Sequence, residues 1–167
     1  YIRSIGADGT IHADFGTEWK GVPNGIPYIT VSGQQRKVPV EFQYKEESDP
    51  GPYPIPDDAP IEGGSKSDGD RHVLVIDRDN RLLYELWNAH KTETGWRAGS
   101  GAIFKLDSND LRPEGWTSAD AAGLPVYPGL VRCDEVARGV ISHALRFTVK
   151  RSQRAYVWPA RHFASSL

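Results

Sequence analysis

The chemistry open to this chain is acid–base chemistry, and the residues that suit it are few. Asp70, Asp120, Asp134 and Glu135 are the carboxylates placed on informative segments, and His143 is the histidine with an informative spacing. Two carboxylates flanking a glycosidic bond suffice for hydrolysis if one is kept protonated. Asp134 and Glu135 are adjacent on an expected helix and point apart, so they are a poor pair. That leaves Asp120 and Asp70, with His143 as a general acid or base and Arg146 as its charged neighbour, as the catalytic and binding set to expect.

Asp120 sits in "GWTSADAAGLPVYPG" (115–129), which reads as neither strand nor amphipathic helix. Thr117 or Ser118 can cap a single turn through Asp120, Gly123 can end it, and Pro125 and Pro128 stiffen the chain beyond the turn. Trp116, Asp120 and Tyr127 are thereby gathered on one long connection, and long ordered connections on rigid β scaffolds are common places for sites. The plainer alternative is that Trp116 plugs the core and Asp120 only accepts backbone amides. His143 has a plain alternative too. With Ile141, Leu145 and Phe147 it alternates onto one face of "VISHALRFTV" (140–149), where a buried histidine needs only one polar partner.

Other chemistries lack their signatures. "SDGDRH" (67–72) collects Asp68, Asp70 and His72, but no H-x-H, HExxH or paired CxxC spacing completes a metal site. Asp77 and Asp79 lack the Gly and Glu of a calcium loop, and a turn accounts for both. No G-x-S-x-G elbow, P-loop or dinucleotide fingerprint is present, and Cys133 is a lone cysteine without diagnostic surroundings. Residue 1 is Tyr, so the N-terminal histidine of a copper brace is missing. The expectation is no metal and no cofactor.

Aromatic residues supply a second clue. Trp19, Trp96, Trp116, Tyr127 and Trp158 fall near expected strand ends or in connections, where rings can stack on sugars. Trp116, Tyr127 and Trp158 are the expected substrate platform.

These residues need a scaffold, and the 167 residues suffice for one domain with one core. Hydrophobic content of 38% and charged content of 25% describe a soluble globular chain, and a net charge of −2 offers no electrostatic reason to expect nucleic acid or an anionic membrane as partner. No apolar run reaches the length of a membrane span. The chain starts at Tyr1 and contains no Met, which is not how a raw translation product begins. Five Trp, seven Tyr, 17 Gly and 12 Pro point to a loop-rich β protein.

Segment by segment, a short strand is expected near 10–12, and "PYITV" (27–31) with "KVPVEFQYK" (37–45) reads as a hairpin turning at 32–35. Pro39 cannot donate to a ladder and places the second strand at an edge or bulge. The five prolines of 49–64 read as an extended arm lying across the domain, anchored by Tyr53 and Ile55. "HVLVIDRDNRLLYELW" (72–87) is a hairpin about DRDN, "GAIFKLD" (101–107) is a strand, and Pro128 and Gly139 bracket a helix. Strands over 140–149 and 154–163 complete the set. The predicted fold is mainly β: an antiparallel β-sandwich or partly open barrel with one or two short helices and long loops, in a single domain over 1–167.

The runs "DPGPYPIPDDAPIEGG", "GDRHVLVIDRDNRLLYELW", "GSGAIFKLDSNDLRPEGWTSADAAGLPVYPGLVRCDEV" and "HALRFTV…AYVWPARHFASS" resemble a family of mostly uncharacterised secreted bacterial proteins, sometimes found beside carbohydrate-binding modules. The resemblance covers nearly the whole chain. It implies secretion and a polysaccharide or oligosaccharide partner, and it assigns no catalytic residue. It also implies a further C-terminal segment beyond "ARHFASS", and it places Cys133 where the family typically has Tyr, against a thiol nucleophile. Two functions stand as expectations: a secreted polysaccharide-cleaving enzyme such as a glycoside hydrolase, and a non-catalytic carbohydrate-binding or cell-surface module. The oligomeric state, the glycan and the linkage are beyond the sequence.

Overall fold

The run Val73, Leu74, Val75, Ile76 has no polar alternation, which is the pattern of a strand buried on both faces. A computed structural model, which describes residues 18–19, 21–23, 25–147 and 152–164, places it at the centre of the molecule. The expected strand at 10–12 lies outside the described residues. Strands β1 (Glu18–Trp19) and β2 (Val22–Pro23) form a short antiparallel pair. The main sheet is built from β3 (Tyr28–Val31), β5 (Val73–Asp77), β6 (Leu82–Trp87) and β9 (Ser100–Lys105), in the order β3-β5-β6-β9. A smaller sheet has β4 (Val40–Phe42), β8 (Trp96–Ala98) and β7 (His90–Lys91), in the order β4-β8-β7.

Among the described residues the molecule is β-rich with one short α-helix, α1 (Cys133–Arg138), as expected, but the main and the smaller sheet are mixed rather than antiparallel and neither closes into a barrel. The departure comes from 27–45. These residues do not form a hairpin: β3 pairs parallel with β5 and β4 pairs parallel with β8. Central β5 must bury its second edge, and β3 supplies the apolar partner. Pro39 behaves as its missing N–H dictates. It leads into edge strand β4 and contributes only its carbonyl, which accepts the Trp96 N–H at 3.0 Å.

The hairpin about DRDN forms as expected, with Val73 opposite Leu86 and Asp77 opposite Leu82. Asp77 holds the turn through the backbone N–H and side-chain amide of Asn80, at 3.0 and 2.8 Å, and Asp79 accepts the Gly33 N–H at 2.8 Å. Both aspartates are thus consumed by local structure.

Strand β5 deals its side chains alternately to two cores. Val73 and Val75 join Tyr84, Leu86, Trp96 and the proline-rich arm in the larger one. The arm lies across the domain as expected, with Tyr53 and Ile55 buried among these residues. Tyr53 meets Phe42 and Tyr84 edge to face at 5.8 and 5.3 Å, and its hydroxyl donates to the Asp49 carbonyl at 2.8 Å. Trp96 is core as well, not a surface aromatic. On the other face, Leu74 packs with Ala119 and Val126 under the connection 115–130.

Two expected strands do not form. Residues 140–147 are irregular, and Ile141, Leu145 and Phe147 are exposed instead of sharing an inner face; Val149 lies outside the described residues. Residues 154–163 are also irregular, with Trp158 78% exposed. Alternation specifies a face only when a sheet edge is there to pair with, and here the chain is turned by side-chain contacts instead. Helix α1 ends at Gly139 as expected, with φ 71°, but a 3-10 turn at Tyr127–Gly129 follows Val126 and the α-helix starts only at Cys133. Among the described residues no helix is long and apolar enough to cross a membrane.

The buried arm yields a measurable expectation. Tyr53→Ala, which empties a fully buried ring site, is expected to lower stability to urea by about 3–5 kcal/mol, whereas Tyr53→Phe loses only the bond to Asp49, about 1 kcal/mol. Equal losses for the two variants would show that the arm is held by the hydroxyl and not by its ring.

Candidate functional site

The second face of the main sheet is covered by a connection with no regular hydrogen-bonding pattern, so its backbone polar groups must be satisfied individually. Glu85 of β6, fully buried, accepts the backbone N–H groups of Val126 and Tyr127, both at 2.8 Å. His72 donates through Nε2 to the Ala119 carbonyl at 3.0 Å. Ser100 donates to the Ser118 carbonyl at 2.7 Å, and Arg112 Nε donates to the Thr117 carbonyl at 2.7 Å. Within the connection, Ser118 Oγ accepts the Asp120 N–H at 2.9 Å and Gly123, at φ 72°, donates its N–H back to the Asp120 carbonyl at 3.0 Å. The turn expected through Asp120 is therefore present, with Ser118 as its cap.

An open cleft of about 440 Å³ lies between this connection and the end of β6. One wall is aromatic: Trp87, the last residue of β6, and Tyr44 stack at 6.3 Å with their planes 28° apart. Gly99 sets this wall. A Cβ there would fall 2.3 Å from the Trp87 ring, so only glycine lets the ring lie against the backbone, and the Gly99 carbonyl accepts the Tyr44 N–H at 2.9 Å. Glu47 and Asp70 also line the cleft: Asp70 accepts the Trp87 indole N–H at 3.2 Å, and Glu47 accepts the Thr117 N–H at 3.3 Å. Opposite them are Arg146 and His162. Arg146 Nε is held by Asp120 at 2.8 Å, and His162 Nδ1 meets the Ala121 carbonyl at 2.8 Å.

Of the expected site residues, Asp70 and Arg146 line this cleft, and Asp120 stands directly behind Arg146, its other oxygen accepting the Ala122 N–H at 3.0 Å. The others lie elsewhere. His143 is on the irregular segment after α1, where Nε2 meets the buried Glu135 carboxylate at 3.0 Å and Nδ1 meets the Ala144 carbonyl at 2.8 Å; contacts with these acceptors raise its pKa above the ordinary 6.5. Trp116 lies half-buried beside the Arg112 guanidinium at 5.4 Å, and Tyr127 packs edge to face on Tyr28 at 4.9 Å. The Trp19 side chain lies outside the described residues. Tyr44, Trp87, Glu47 and His162 escaped sequence reasoning. Trp87 read as an ordinary member of an apolar strand, and only its terminal position hinted that its ring could reach past the sheet. Among the described residues, no three His, Cys, Asp or Glu side chains converge to hold a metal.

Two buried ionisable groups lie beneath the cleft. Burial pushes the Glu85 carboxyl up to about 7, against the pull of the Val126 and Tyr127 N–H donors. Burial by itself would lower His72, but its Nδ1 contact with Glu62 at 2.6 Å, the charge of Glu62 and the Ala119 carbonyl raise it above 6.5. Both ring nitrogens face acceptors, which is the arrangement of an imidazolium.

No protein-family model matches the chain, and no curated protein or solved structure matches it significantly.

Glu85 makes stability depend on pH with a defined sign. Its folded pKa of about 7 exceeds the ordinary 4.5, so the contribution is fully present below pH 4.5 and is lost as pH rises towards and through 7; the raised His72 acts in the same direction above 6.5. Glu85→Gln is expected to gain on the wild type by about 3 kcal/mol between pH 4.5 and 8, measured by urea unfolding across that range. A stability difference that stays constant with pH would show that Glu85 titrates as an ordinary carboxylate.

Proposed function

We propose that this protein is a secreted carbohydrate-binding protein that takes a glycan in the cleft between β6 and the 115–130 connection. The observation that carries the reading is the Tyr44–Trp87 stacked pair, half-exposed on the wall of an open cleft that polar side chains also line. Sugar rings present an apolar C–H face and a hydroxyl edge, so they suit an aromatic wall bordered by acceptors and donors. Asp70, Glu47, Ser118 and Arg146 provide that border.

Cleavage is the second reading, favoured by one observation: the two carboxylates Asp70 and Glu47 both face the cleft. A hydrolase further needs one carboxylic acid held protonated near neutral pH. Among the described residues the carboxyl group raised to about 7 is Glu85, and both its oxygens are taken by backbone N–H groups beneath the connection. Asp120 is matched by Arg146, and His143 is engaged by Glu135. Binding therefore has the broader support.

The test is incubation with a panel of insoluble and soluble polysaccharides, assaying bound protein in the pellet and products by mass spectrometry. Trp87→Ala is expected to weaken retention by about tenfold or more, while Trp158→Ala leaves it near the wild-type level. Retention that survives Trp87→Ala removes the cleft as the binding site. New oligosaccharides from the wild type that vanish in Asp70→Asn or Glu47→Gln would establish the cleaving reading instead.

A further inference from the structure

The charges facing the cleft do not balance, and the imbalance bears on which glycan fits. Arg146 is matched by Asp120 at 2.8 Å, and His72 by Glu62 at 2.6 Å. Arg112, whose Nη2 donates to the Glu47 carbonyl at 2.8 Å, is paired with the Asp49 carboxylate. His162 already directs Nδ1 at the Ala121 carbonyl. Asp70 and Glu47, by contrast, make no ion pair among the described residues. Among the described residues each receives one hydrogen bond, from the neutral Trp87 indole and the Thr117 backbone respectively, and each has one oxygen with no described partner. Two unmatched carboxylates thus flank the Tyr44–Trp87 wall, and Asp70 is tied directly to that wall by its bond to Trp87.

An aromatic face beside carboxylates is the environment an ammonium group favours. The ring quadrupole attracts the cation, and a carboxylate gives it a charge-assisted hydrogen bond. An anionic sugar would meet the opposite: Arg146 and His72, which line the cleft, are already matched by Asp120 and Glu62, and a further carboxylate would be placed near Asp70 and Glu47. A plain neutral glycan would leave both carboxylates without a counter-charge.

We propose that the cleft recognises a glycan bearing free amino groups, a glucosamine-type chain, with a sugar ring against Tyr44 and Trp87 and its protonated amine at Asp70 and Glu47. This rests on the glycan-binding reading above and narrows it to a substrate class. N-acetylation removes the charge and adds bulk at the same nitrogen, so the acetylated chain is the discriminating competitor.

The test uses calorimetric titration of the full chain with three oligosaccharides of equal length: β-1,4-linked glucosamine, its N-acetylated form, and β-1,4-linked glucose. The glucosamine oligomer is expected to bind about tenfold or more tightly than the other two at low salt, with the advantage shrinking as sodium chloride is raised towards 1 M. Asp70→Asn and Glu47→Gln are each expected to reduce that preference, weakening the glucosamine oligomer more than the glucose oligomer, with circular dichroism confirming that both variants fold. Equal binding of all three oligomers would overturn the amine assignment and leave the glycan reading standing. Binding of none would overturn both. A glucosamine preference that persists in the Asp70→Asn, Glu47→Gln double variant would trace to overall charge and overturn the assignment to this cleft.

Discussion

The Glu85 carboxylate, buried in the middle of β6 and holding the N–H groups of Val126 and Tyr127, is the interaction on which the rest of this structure depends. The main sheet buries both faces of β5, but sheet and arm cover only one of them. The other is covered by a connection without strand or α-helix, and irregular backbone cannot be buried unless each polar group finds a partner. Glu85, His72, Ser100 and Arg112 are those partners, and among the described residues no buried side-chain nitrogen or oxygen lacks one. A charged or strongly polar side chain does here what a neighbouring strand does elsewhere.

The same solution makes the cleft. A strand laid over Leu74 would continue across the end of β6 and bury Trp87. The connection instead turns at Ser118 and Asp120, and leaves Trp87 and Tyr44 with open space beside them. Glu47 reaches the Thr117 N–H from the opposite side, and Arg146 and His162 dock on the 120–122 turn, so the C-terminal residues are drawn in as the far wall. Structure and site are therefore not separable: the groups that satisfy the connection's backbone also determine which side chains face the cleft.

The region after α1 illustrates how a local pattern is overruled. Ile141, His143, Leu145 and Phe147 alternate as a strand should, but both edges of the main sheet, β3 and β9, lie elsewhere, and the segment finds no ladder. Glu135 engages His143 while also accepting the Arg132 N–H at 3.0 Å, and the Gly129 carbonyl accepts the Arg146 N–H at 3.0 Å. These contacts run the chain back over the connection and carry Arg146 to Asp120. Arg146, expected from the sequence in the binding set beside His143, reaches the cleft through this route, whereas His143 itself does not.

Sequence alone determined the features that depend on near neighbours. The DRDN turn, the arm with Tyr53 and Ile55, the edge position signalled by Pro39, the Ser118–Asp120 turn and the Gly139 helix stop arise from φ preferences, missing donors and short side chains acting within a few residues. Asp70 was legible as a polar residue at a strand entry, and Asp120 as a turn residue. Tertiary structure decided the rest. The parallel pairing of β3 with β5 and of β4 with β8 joins residues as distant along the chain as Tyr28 and Leu74, or Val40 and Trp96, and no local pattern specifies such a partner. The cleft is of the same kind: Tyr44, Asp70, Trp87, Thr117 and Arg146 come from five segments, and they meet where Glu85, His72, Ser100 and Arg112 hold an irregular connection against the sheet.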